Sequence, residues 1–169
     1  LELVEVSDAS RAAARVRALA GRCGTEIDWQ PSWDAAAERA RETGRPILVY
    51  LRRYPGFQIV DAMKIGVFMD PDVVALINSC FVAFHLQDGM AAPLRDQAGY
   101  GLSKTTFGNG LLVADADGEV LRETHSSSAF ACYAFLLEAL AYLPHYEPPP
   151  MPSGGSLEQA AAALALSLI

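Results

Sequence analysis

Pro46-Ile47-Leu48-Val49-Tyr50-Leu51-Arg52-Arg53-Tyr54-Pro55-Gly56-Phe57-Gln58-Ile59-Val60 is the stretch that decides the fold. Ile47 to Leu51 is continuously apolar and partly β-branched, the pattern of a strand covered on both faces. Pro55-Gly56 punctuates it as a turn. From Phe57 to about Gly66 the spacing becomes helical, with Ile59, Val60, Met63 and Val67 available for an inner side. A doubly buried strand feeding a helix through a tight turn belongs to an α/β architecture.

Upstream, Trp33 to about Thr43 reads as a helix: Trp33, Ala36, Ala37 and Ala40 share one face, and Glu38, Arg39, Arg41 and Glu42 lie off it. Gly44 is placed to stop it, with Arg41 and Arg45 near its negative end. Ile27 to Trp33 is expected to be extended. Further back, Ser7 or Asp8 caps a helix to about Ala20, and Leu1 to Val6 alternates apolar and acidic residues as a short strand or arm.

Downstream, Asp70-Pro71-Asp72 opens a short helix, with Asp70 capping and Pro71 in its first turn. Cys80 to Leu86 is expected to be the second strand, Gly89 to about Ala98 a loose helix and Gly99 to Asn109 a loop. Gly110 to Ala114 is a third strand. Asp115-Ala116-Asp117-Gly118 makes a hairpin turn, and Glu119 to Thr124 returns antiparallel. After Ser126 to Ser128 a helix runs to Leu143 and stops at Pro144. Pro148 to Gly155 reads as a linker, and Ser156 caps a last helix with Leu157, Ala161, Leu164 and Leu168 in one stripe. The expected organisation is an arm and helix over 1–24, a core domain over 25–146, a linker over 147–155 and a terminal helix over 156–169.

Of the 169 residues, 51% are apolar and 20% charged, a globular balance. The net charge of −7 argues against nucleic acid, whose binding needs clustered cations to neutralise phosphates. Cys23, Cys80 and Cys132 are too far apart for zinc-ligand pairs and odd in number, so reduced thiols in a cytoplasmic protein are expected. No apolar run approaches the ~18 residues that span a bilayer. The chain starts at Leu1 and not Met, which leaves a removed leader open.

Asp28-Trp29, Ala36, Ala40 and Gly44-Arg45-Pro46-Ile47-Leu48-Val49, followed by Met63, Val67-Phe68, Asp70, Val73 to Asn78, Phe81-Val82 and Asp88, form an ungapped series. With Asp115-x-Asp117-Gly118 in the final hairpin, this series resembles the thioredoxin superfamily, specifically the bacterial thioredoxin-like domains related to the spermatogenesis-associated group. The resemblance spans roughly Ile27 to Leu143 and implies a three-layer α/β/α sandwich with a mixed central sheet, extended by terminal helices. It also implies two redox cysteines and a cis-proline. Counted along the motifs, the cysteine positions fall on Phe57 and Val60 and the proline position on Asn109. Thiol–disulfide exchange needs an attacking thiolate and a resolving thiol, and this turn supplies neither. No catalytic residue and no cofactor is assigned.

Other clusters read as structure. His85, His125 and His145 are scattered, and His85 is expected to be a satisfied or edge histidine within a strand. His125-Ser126-Ser127-Ser128 fits a hairpin exit and helix cap. Asp115 and Asp117 lack the Glu that completes a calcium loop.

Arg52, Arg53, Tyr54 and Phe57 place two guanidinium groups and two aromatics where this fold meets a polypeptide, although Tyr54 and Phe57 equally suit filling space. The helix from Ala129 is apolar nearly all round, with Phe130, Tyr133 and Leu137 beyond what one sheet face uses. The expected function is a redox-inactive, accessory, chaperone-like or scaffolding protein acting by protein contact. Its partner is another subunit or a second copy, met through the terminal helices. Candidate contact residues are Arg52, Arg53, Tyr54, Phe57, Asn109, Phe130, Tyr133, Leu137, Leu157, Leu164 and Leu168. The rival is a single-cysteine redox or peroxide-handling enzyme using Cys80 or Cys132, and a third option is a small-molecule module with its cleft beside Asn109. No metal site is expected.

Overall fold

The computed structural model describes residues 23–52, 58–87 and 109–143, together with Arg11 and Arg15, which are helical and exposed. The expected arm over 1–6, the rest of the first helix, the helix over 89–98, the loop over 99–108, the linker and the terminal helix lie outside the described residues.

The elements are β1 (Trp29–Gln30), α1 (Trp33–Thr43), β2 (Ile47–Arg52), α2 (Gln58–Gly66), α3 (Pro71–Cys80), β3 (Val82–Gln87), β4 (Asn109–Ala114), β5 (Val120–Thr124) and α4 (Ala129–Ala141). They form a mixed α/β structure around a five-stranded sheet in the order β1-β3-β2-β4-β5. β1, β3 and β2 run parallel, and β4 and β5 run antiparallel to their neighbours. β2 lies at the centre, paired along its whole length on both sides, which explains its continuous apolar run.

Residue alternation divides the core into two layers. Ile47, Val49 and Leu51 join Val82, Phe84, Leu86, Leu112 and Ala114 under α1. Leu48 and Tyr50 join Ala83, Leu111 and Val113 under Met63 of α2, the apolar face of α3, and Cys132, Tyr133, Leu136, Ala139 and Leu140 of α4. α1 presents only Ala36, Ala37 and Ala40 to its layer, with Trp33 edge-on to Phe84 at 5.9 Å. Small residues there let the helix backbone lie close to the sheet.

The helix ends are chemically specified. Ser32 Oγ accepts from the Ala35 N–H at 3.1 Å to start α1, and Gly44, at φ 69°, closes it by donating to the Ala40 carbonyl. Asp70 starts α3 by accepting from the Asp72 and Val73 N–H groups at 3.0 and 3.3 Å. Ser128 caps α4. Arg41 ties α1 to the β4–β5 turn, donating to the Ala116 carbonyl at 2.8 Å and pairing with Asp117 at 3.1 Å. Asp115 Oδ1 fixes that turn by accepting from the N–H groups of Asp117 and Glu119.

Three boundaries differ from the sequence reading in ways that bear on the site. Cys80 ends α3 and does not begin a strand. Val73, Val74, Leu76, Ile77 and Cys80 complete one helical face, and Phe81 then turns extended while its N–H still bonds to the Ile77 carbonyl. Asn109 is the first residue of β4 and not the end of a loop, because it pairs with Arg52. α4 ends at Ala141, two residues early, with Tyr142 as its cap. Among the described residues, no helix is long and apolar enough to cross a membrane.

Candidate functional site

The carboxyl end of β2 is where the expected site residues converge in the chain. Arg52 closes β2 and stands opposite Gln87 of β3 on one side and Asn109 of β4 on the other. Arg53, Tyr54 and Phe57 lie outside the described residues. Val60, the second position that the resemblance gives to a redox cysteine, falls in the first turn of α2.

Behind this edge the sheet face is aromatic. Tyr50 is 1% exposed and stacks on His85 with ring centres 4.8 Å apart and planes 18° apart. Phe68 meets Tyr50 edge-on at 5.0 Å, and Trp29 meets Phe68 at 5.5 Å and His85 at 5.8 Å. Trp29 is held by donating its indole N–H to the Gly24 carbonyl at 2.7 Å. Each edge-on or stacked pair adds roughly 0.5–1.5 kcal/mol beyond the area it covers. His85 therefore belongs to a packed aromatic group on an interior strand, and its Nε2 atom is buried.

Close packing continues on the neighbouring strand. A Cβ on Gly110 would run into the Thr124 carbonyl oxygen and lie 2.8 Å from His125 Nδ1. Only glycine lets the chain leaving β5 cross β4 at that distance. His125 and Ser126 thus sit beside β4 for a structural reason, and Ser128 serves as a cap. His145 lies outside the described residues. Among the described residues, no group of three or more His, Cys, Asp or Glu is arranged to hold a metal ion.

The cysteines are distributed over separate elements. Cys80 and Cys132 are 0% exposed, on α3 and α4, whereas Cys23 is half-buried. Burial pushes the Cys132 thiol up to about 12, since a thiolate there would lose its hydration. Its Sγ donates to the Ser126 carbonyl at 3.2 Å, which also uses the proton. A thiol in that state is a poor nucleophile.

α4 places the remaining candidates unequally. Tyr133 is 2% exposed and lies in the core under the sheet, so it offers no free surface. Phe130 is half-buried, and Leu137 packs against the same core. The outward positions are Glu138, Ala141 and Tyr142. Arg122 of β5 pairs with Glu138 at 3.3 Å and lies 4.1 Å over the Tyr142 ring, clamping the end of α4 to the sheet. Leu157, Leu164 and Leu168 lie outside the described residues.

Gln87 is the position at this edge that the sequence leaves unmarked. The available signal was alternation: residues 83, 85 and 87 of β3 go from apolar through aromatic to polar, as do 48, 50 and 52 of β2. No family model matches the chain, and no curated protein matches it.

Proposed function

We propose that the chain is a redox-inactive protein of the thioredoxin-like type that works by protein–protein contact, as an accessory, chaperone-like or scaffolding subunit. A mixed sheet with helices on both faces, in which α2 follows the central strand β2, is the arrangement that reading requires. The observation that carries it is the sequence from Arg52 to Val60 together with the placement of the thiols. Phe57 and Val60 stand at the positions the resemblance gives to redox cysteines, while Cys80 and Cys132 are fully buried elsewhere. A stretch without a nucleophile that carries Arg52, Arg53, Tyr54 and Phe57 is composed like a contact surface, because Arg and aromatic residues anchor protein interfaces.

The burial of Cys80 and Cys132 weighs against a single-cysteine enzyme, which needs a reachable thiolate. The core position of Tyr133 removes it from the contact surface and leaves the β2 end of the sheet, Phe130 and Leu137 of α4, and the expected terminal helices. Native mass spectrometry and copurification from the source cells test the proposal. A stoichiometric complex with another protein, or a stable homo-oligomer, is the expected result. A monomer that recovers nothing, or turnover of a peroxide or disulfide that disappears with Cys80→Ala or Cys132→Ala, would defeat it.

A further inference from the structure

We draw no further inference here: the strongest candidate, the edge strand β5 with Leu121 and Glu123 exposed at the margin of the sheet, is a surface patch for which nothing in the structure shows what covers it.

Discussion

At Cys132, burial and a hydrogen bond to the Ser126 carbonyl keep the proton on sulfur, with the thiol pushed from an ordinary 9.0 up to about 12. As pH rises the unfolded chain gives up this proton first. Its contribution is therefore constant below 9.0 and falls between 9.0 and about 12. Replacing Cys132 with Ala should cost roughly 1–2 kcal/mol at neutral pH through the cavity it leaves. That deficit should shrink by about 1 kcal/mol at around pH 10, because the variant has no thiol to ionise on unfolding. Urea unfolding of both proteins at the two pH values measures the difference directly, and tyrosines and lysines cancel from it.

The three thiols also differ in reach. Iodoacetamide under native conditions should label half-buried Cys23 first, and Cys80 and Cys132 only on unfolding, as peptide mass spectrometry would record. Gly110 is the other residue where one atom decides. Gly110→Ala forces the Thr124 carbonyl and the His125 ring away from β4 and should lower stability by about 1–3 kcal/mol, read from the denaturant midpoint.

Among the elements, α3 shows how a side chain sets a boundary. Asp70 accepts from two N–H groups that otherwise have no helical partner. Asp70→Ala should cost about 1 kcal/mol, and Asp70→Ser most of a unit less, in equilibrium unfolding. The start of α3 was legible because Asp-Pro-Asp is local chemistry. Its end was not. From Val73 to Leu86 the chain has no glycine or proline, so the change from helical to alternating spacing is unmarked, and Cys80 reads equally well in either element. What fixes it is the fit of the Cys80 side chain into the layer beneath α4. The β4–β5 turn was legible for the same local reason as Asp70, through Asp115 and Gly118. The surplus apolar face read on α4 was only partly so. Periodicity cannot tell that Tyr133 enters the core while Phe130 stays half-buried.

For the whole molecule, β2 was identifiable from its own residues, but its neighbours were not. Arg52, Gln87 and Asn109 are separated by 35 and 22 positions in the chain and meet only through strand register. Separation of that kind is invisible to any window of sequence. The resemblance brought Asn109 forward for its own reason, as a proline position, and passed over Gln87.

The sheet also divides the apolar residues into two layers that share strands but not side chains. Among the described residues, a perturbation above the sheet therefore has no packed route to the layer below except through the backbone of the central strands. Ala40→Val on the α1 side and Leu136→Ala on the α4 side should add to within roughly 0.3–0.5 kcal/mol in a double-mutant cycle, whereas Leu136→Ala with Ile77→Ala should not. The two sides can consequently diversify independently. Substitutions under α1 leave the Tyr50–His85 stack on the opposite face undisturbed, so one face of the sheet can stay constant while its reverse drifts.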